Sequence, residues 1–182
     1  MTELSLHILD IVQNSIAAKA SLIYISISES NSGNTYKIEI GDNGRGMDEA
    51  TVAKVLDPFY TTRITRKVGL GLPLYKQAVE ICNGTFHVES VPGMGTKVIA
   101  SMPLRHIDRQ PLGDMPGVMT QLASSFPLID FIYIHTTDYG TYTFDTRDVK
   151  NTLEGLPIHD VRVINFIRDM IGENLKEIKI TH

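Results

Sequence analysis

The 182-residue sequence predicts an α+β protein. The expected core is a two-layer α/β sandwich, a mixed and mainly antiparallel sheet with helices on one face, followed by a small C-terminal α+β domain. Three observations point there. Short stretches alternate apolar and polar residues, as half-buried strands do. Longer stretches repeat apolar residues at helical spacing. Glycine- and asparagine-rich clusters separate the two kinds, and the order is α, ββ, α, α, ββ.

Leu4 to Ala20 reads as the first helix, with Ile8, Ile11, Val12 and Ile16 covering one broad face. Leu22 to Ser28 alternates through Ile23, Ile25 and Ile27. The turn residues of "SNSGN" (30–34) join it to a second strand, Tyr36 to Ile40. A glycine cluster, "GDNGRGM" (41–47), follows at that strand's end. Asp48 to Leu56 is helical and stops before Pro58. Thr61 to Val68 carries Arg63, Arg66 and Lys67 without apolar pattern, so it reads as a surface loop. Pro73 to Cys82 is a helix with proline in its first turn, where a missing N–H is harmless, and Asn83-Gly84 ends it. Phe86 to Ser90 and Lys97 to Met102 form a hairpin across "PGMG". The Pro- and Gly-rich run from Arg105 to Gly117 reads as a linker between domains 1–104 and 105–182. Beyond it come a helix (Val118 to Ser125), a hairpin (Ile129 to Thr136, Thr141 to Thr146), two helices and a last strand, Leu175 to Thr181.

The bulk numbers narrow the function. A formal charge of −4 argues against a broad nucleic-acid-binding surface. The single cysteine, Cys82, allows no internal disulfide and suits a reducing cytoplasm. The start lacks a basic n-region, so no signal peptide is expected. No apolar run approaches the roughly 20 residues that span a bilayer, so no membrane partner is expected.

Four stretches suit parts of a nucleotide. Asp10 and Asn14 are four apart and share a helix face; an Asn amide oxygen is a good ligand for Mg²⁺, though it also suits plain solvent exposure. Asp42 ends a strand, and a carboxylate there accepts hydrogen bonds and donates none, which suits the exocyclic N–H of adenine and repels the oxygen of guanine. Gly44 and Gly46 would let backbone lie against a flat base, although the same pattern fits a tight turn. Gly69-Leu70-Gly71 precedes a helix whose amino end is an anion site. Thr96, in "GMGT", would face inward or simply close a hairpin. Met47, Met94 and Met102 read as packing, Cys82 as a small buried apolar side chain. His7 reads as a hydrogen-bonded residue at the pocket edge, His87 as surface. His106, His135, His159 and His182 show no metal-ligand spacing.

Taken together, residues 1–104 resemble the GHKL (Bergerat-fold) ATP-binding superfamily of gyrases, heat-shock chaperones, histidine kinases and mismatch-repair ATPases. "DIVQNSIAAKA" resembles its N box, "GDNGRGM" its first glycine box, and "LDPFYTTR" the F box of histidine kinases. "VGLGLPLYKQAVEICNGTFHVESVPGMGTKV" resembles their second glycine box and the stretch beyond it. The resemblance implies ATP and Mg²⁺ as cofactors, with Asn14 on the metal. It implies nucleotide contacts from Asn14, Asp42, Gly44, Gly46, Met47, Gly69, Leu70, Gly71, Leu72 and Thr96. Mismatch-repair ATPases carry a catalytic Glu where this chain has Asp10, so Asp10 is the candidate base. Lys67 stands where histidine kinases usually have a third glycine, and the lid loop is short. The first helix opens near Met1, leaving no room for a phosphoacceptor-histidine region. The expectation is therefore a cytoplasmic kinase that hands the γ-phosphate to a separate protein. An ATP-driven switch with slow hydrolysis and a non-catalytic nucleotide sensor are the alternatives, and a regulatory partner or a homodimer stays open.

Overall fold

The computed structural model describes residues 2–59 and 70–179. The basic loop from Thr61 to Val68 and Gly69 lie outside them. Among the described residues are six helices and one six-stranded mixed sheet, an α+β fold. No described helix is long and apolar enough to cross a membrane.

Helix α1 spans Leu4–Ala17 and buries Leu4, His7, Ile8, Ile11, Val12 and Ser15. Its first-turn N–H groups are not capped by a side chain; Leu4 and Ser5 instead donate to the carbonyls of Pro111 and Leu112, at 2.9 and 2.7 Å. The expected linker thus becomes a helix cap. Strands β1 (Leu22–Ser30) and β2 (Thr35–Asp42) pair antiparallel, and the turn between them has Asn34 in the left-handed region. Helix α2 (Glu49–Val55) starts where the Asp48 carboxylate accepts from Thr51 N–H. Helix α3 (Gly71–Ile81) ends at Asn83, whose φ of 56° lets Gly84 N–H return to the Val79 carbonyl. Strands β3 (Thr85–Val91) and β4 (Gly95–Pro103) form the expected hairpin, with β4 antiparallel to β2 as well. Met94, expected to pack, is 76% exposed at the tip of that hairpin, where its side chain points away from the core. Met102, by contrast, is buried.

After α4 (Met115–Ser125), strands β5 (Asp130–Thr137) and β6 (Gly140–Asp145) join the same sheet, in the order β3-β4-β2-β1-β5-β6. Strand β5 lies parallel to β1, in register from Leu22↔Asp130 to Ser28↔Thr136. A buried polar relay ties the two. His135, fully buried, has Nε2 at 2.6 Å from Glu29 Oε1 and Nδ1 at 2.7 Å from Tyr133 Oη. A carboxylate only accepts, so Nε2 carries a proton. Burial alone would raise the Glu29 pKa, but the His135 hydrogen bond and the His135, Lys179 and Arg109 charges pull it below its ordinary value.

Helix α5 (Thr146–Thr152) is followed by α6, Val161–Lys179. Leu175 to Thr181, expected as a strand, is therefore helical as far as Lys179. Leu175 and Ile178 extend the buried stripe of Val163, Ile167 and Ile171 at spacings of four and three, and a helical face buries them together. The buried residues of α1, α3, α4 and α6 form one core with Ile23, Ile25 and Ile27 of β1, Ile38 and Ile40 of β2, and Phe131 and Tyr133 of β5. Each fully buried aliphatic side chain contributes roughly 1.5–3 kcal/mol.

Candidate functional site

The carboxyl-terminal end of β2 delivers Asp42 to one end of the helix layer. There a cleft of about 550 Å³ opens between α1, the ends of β2 and β4, α2 and the first turn of α3. Its walls are largely apolar: Ile11 and Ala17 from α1, Ala18 just after it, Ile40 and Val98 from the sheet, Val55 from α2, Leu72 from α3, with Met47 and Pro92 on the loops.

Polar groups enter at few points. Asp42 Oδ1 accepts from Gly44 N–H at 2.8 Å, and Oδ2 accepts from Ser15 Oγ at 2.6 Å. A carboxylate offers about four acceptor positions, so two stay available on a side chain held from two directions. Ser15 also lies 3.4 Å from the Ile11 carbonyl, but its single proton serves the much shorter contact. Asn14, one residue before, is half-buried and lines the same wall.

Thr96 faces Asp42 directly across the β2–β4 register and lines the cleft. Its Oγ1 lies 2.8 Å from Ser90 Oγ. Ser90 accepts from Met47 N–H and donates its one proton to the Gly95 carbonyl, so Thr96 supplies the proton between the two hydroxyls. Ser90 thereby ties the glycine loop to the β3–β4 hairpin.

The loop glycines have a structural reason that differs from the expected one. A Cβ on Gly44 would lie 2.8 Å from the Ala18 carbonyl oxygen, and one on Gly46 (φ 68°) would lie 2.0 Å from the Val91 carbonyl oxygen. Both directions point at protein backbone. The loop is wedged between the end of α1, where Arg45 N–H donates to the Ala18 carbonyl, and the β3–β4 turn, where Gly93 N–H donates to the Arg45 carbonyl. Gly46 still borders the cleft; Gly44 supports it by holding Asp42.

Asp10 does not line this cleft. One turn before Asn14, it packs against the amino end of α3: a Cβ on Gly71 would lie 3.3 Å from Asp10 Cβ and 3.6 Å from its Oδ2. Leu70 caps α3 without a side-chain hydrogen bond and is 53% exposed, whereas Leu72 is buried. His7, a further turn back, is buried and does not border this cleft. It stacks on Tyr75 with ring centroids 5.2 Å apart. Burial lowers its pKa, against opposing contributions from Gln110 and Asp10.

The cleft thus combines largely apolar walls, a presented carboxylate and an amide, with Leu72 of α3 at its border; Leu70 and Gly71 do not line it. Residues 2–106 match the family model described as histidine kinase-, DNA gyrase B-, and HSP90-like ATPase. The chain belongs to that family. It is an ATP-binding domain of the histidine-kinase type. Sensor histidine kinase YvrG of Bacillus subtilis is 38% identical over 69 residues, which are 36% of this chain and 12% of that kinase. Sensor histidine kinase ZraS of Escherichia coli O157:H7 is 30% identical over 106 residues, 58% of this chain and 23% of that kinase. The matched stretches are thus under a quarter of either relative. The fold is also that of a crystallised N-terminal domain of a DNA repair protein, with a TM-score of 0.55 at 19% identity over 79% of this chain and 52% of that one.

The residues that sequence reasoning missed in this ATPase-family cleft are those that shape it. Ser15 and Ser90 are 27 and 48 positions from Asp42, and only the fold brings them near. Ile11 and Val55 were legible as apolar helix residues, but nothing in their spacing says that they border a cleft.

Proposed function

We propose that the cleft binds Mg-ATP with adenine on Asp42, and that the protein transfers the γ-phosphate to an acceptor on a separate protein. The observation that carries the adenine assignment is the Asp42 carboxylate, held by Ser15 and Gly44 N–H with two acceptor positions left, between walls of Ile40, Val98, Ile11 and Val55. Adenine offers an N–H to such a group; guanine would present an oxygen and be repelled. Thr96 would complete the purine edge.

The donor set fits a hard divalent ion that arrives with the nucleotide. Asn14 supplies an amide oxygen on the cleft wall, and no group of three His, Cys, Asp or Glu among the described residues could cage a metal unaided. Asn14 would therefore hold Mg²⁺ jointly with phosphate oxygens and water, and the ion would neutralise charge on the phosphates. The amino end of α3 at Leu70, Gly71 and Leu72 would face the same phosphates, with Gly69 proposed from its motif. Phosphoryl transfer demands mainly positioning and charge neutralisation, which these groups are suited to provide. No described histidine lines the cleft, and this favours an acceptor on another chain. Every residue of the cleft lining falls within residues 11–98. This supports residues 1–104 as the nucleotide-binding unit and 105–182 as the part that serves a partner, regulation or a second copy of the chain.

A second reading rests on Asp10. Its carboxylate beside Gly71 is suited to polarise a water near the α3 amino end, which would make the protein a slow ATPase and conformational switch. Incubation with γ-labelled ATP, alone and with cell extract, separates the readings. Label on a second protein supports transfer. Free phosphate from the purified chain supports the switch. Label on the chain itself contradicts the first reading.

A further inference from the structure

Among the described residues the sheet ends at two edges, β3 and β6, and they differ in how they are guarded. An open edge offers backbone N–H and C=O groups to any extended chain, and natural edges are usually blunted by charge, proline or a covering element. Strand β3 carries His87 and Glu89, whose side chains are 67% and 57% exposed, and α2 lies beside it. Strand β6 has neither charge nor proline from Gly140 to Phe144, and its Thr141 and Thr143 are exposed. Asp145 follows, but Arg147 Nε and Nη2 donate to its carboxylate at 3.0 and 2.7 Å. Helix α5 does not cover the edge: it turns back toward β5, with Lys150 Nζ 3.0 Å from Asp130 Oδ1.

The register of the β5–β6 hairpin tells which groups this edge presents. Thr137 and Gly140 flank the two-residue turn Asp138-Tyr139, and such a turn is closed by a hydrogen-bonded pair. Stepping by two, His135–Tyr142 and Tyr133–Phe144 are hydrogen-bonded pairs as well. Three contacts agree. Phe131 N–H points toward β6 and donates to Thr146 Oγ1 at 2.9 Å. Asp130 N–H points the other way, to the Ser21 carbonyl at 2.9 Å. The Thr136 and Thr141 hydroxyls meet at 3.1 Å, as the closer side chains of a non-hydrogen-bonded pair do. The N–H groups of Thr141, Thr143 and Asp145 and the carbonyls of Thr141 and Thr143 therefore face away from β5. Among the described residues no strand lies on that side.

We propose that β6 pairs antiparallel with β6 of a second copy of this chain, about a twofold axis at Thr143, so that the two six-stranded sheets become continuous. Thr143 then exchanges two hydrogen bonds with its own counterpart, and each Asp145 N–H donates to the other copy's Thr141 carbonyl. This register sets Tyr142 opposite Phe144 on the core side, an aromatic cross-strand pair of the kind that stabilises antiparallel sheets. The occupant is a second copy because the edge matches itself. Thr143 meets Thr143 and Asp145 meets Thr141, so no charge faces a like charge. Strand β6 is also the one uncharged edge that the described chain can offer as a partner. A twofold contact of this kind closes on itself, giving a dimer and no filament. No residue of β6 lines the main cleft, so pairing leaves that cleft free.

The test is sedimentation equilibrium of the full chain over a concentration series reaching about 1 mM, with two variants at the axis. Thr143→Lys sets two ammonium groups face to face, and Thr143→Glu two carboxylates. Thr143 is exposed, and an unchanged circular-dichroism spectrum checks that each variant folds. The wild type is expected to dimerise, and each variant alone to dimerise at least about tenfold more weakly. An equimolar mixture of the two variants is expected to recover the wild-type constant within about threefold, because opposite charges then meet at the axis. A wild type that stays monomeric throughout the series leaves the edge to a strand of another protein, or to none, and overturns the proposal. A dimer that neither variant weakens lies elsewhere on the surface and also overturns it. Weakened variants that mixing does not restore contradict the axis at Thr143.

Discussion

Ser15 Oγ stands 2.6 Å from Asp42 Oδ2, across the gap between the first helix and the second strand. Ser15 is 3% exposed, so the bond is shielded from water and fixes one carboxylate oxygen while Gly44 N–H fixes the other. The carboxylate is oriented before any ligand arrives. Ser15→Ala frees it to rotate. We expect ATP affinity to fall about fivefold, the equivalent of about 1 kcal/mol for one hydrogen bond, together with a modest drop in the thermal midpoint of the ligand-free chain, because the bond is present before ATP arrives. Calorimetric titration checks this; an unaltered Kd would mean that Asp42 needs no orienting.

Gly46→Ala acts on the fold that carries the site. The new methyl would meet the Val91 carbonyl at 2.0 Å from a backbone with φ of 68°. Loss of more than about 2 kcal/mol of stability is expected, read as a lower urea midpoint. Gly93→Ala, at φ 77° with open space around its Cβ direction, carries the backbone strain without the collision and should lose less. Equal losses would remove the wedged-loop explanation.

Asp10→Asn separates hydrolysis from binding. The amide keeps the packing against Gly71 but cannot act as a base. If Asp10 polarises water, phosphate release falls at least about 100-fold while ATP affinity stays within about twofold. Turnover equal to wild type would take Asp10 out of the mechanism.

His7 makes a pH prediction. Burial holds its folded pKa below the ordinary value of 6.5, so the unfolded chain binds the proton more readily. Its contribution to stability is complete above about 6.5 and declines as pH falls through the folded value. The thermal midpoint should therefore drop as pH falls below 6.5, and His7→Phe, which keeps a ring on Tyr75, should flatten that part of the curve. The Glu29 carboxylate, also held below its ordinary value, would add a loss at lower pH that His7→Phe leaves in place.

Much of this was legible in the residues, for physical reasons. Strand alternation at Ile23, Ile25 and Ile27 and the helical stripe of α1 report burial directly. Asp42 opens a glycine cluster whose composition makes little sense for ordinary helix or strand, whereas Asn14 and Thr96 also fit an ordinary helix and hairpin and stood out only through the resemblance of their motifs. Other features depend on pairings that no local pattern encodes. The parallel β1–β5 match brings together residues more than a hundred positions apart, from Leu22↔Asp130 onward. "KEIKIT" alternates like a strand, but Leu175 and Ile178 also continue a helical stripe, and packing decided for the helix. The loop glycines looked like room for a ligand, whereas Val91 and Ala18 occupy the directions a side chain would take.

The most direct test is a calorimetric titration of Mg-ATP and Mg-GTP into the wild-type chain and into Asp42→Asn. The account predicts that ATP binds the wild type and GTP does not, and that Asp42→Asn weakens ATP at least about 30-fold through loss of a charge-assisted hydrogen bond. Equal binding of ATP and GTP, or wild-type ATP affinity in Asp42→Asn, would contradict it.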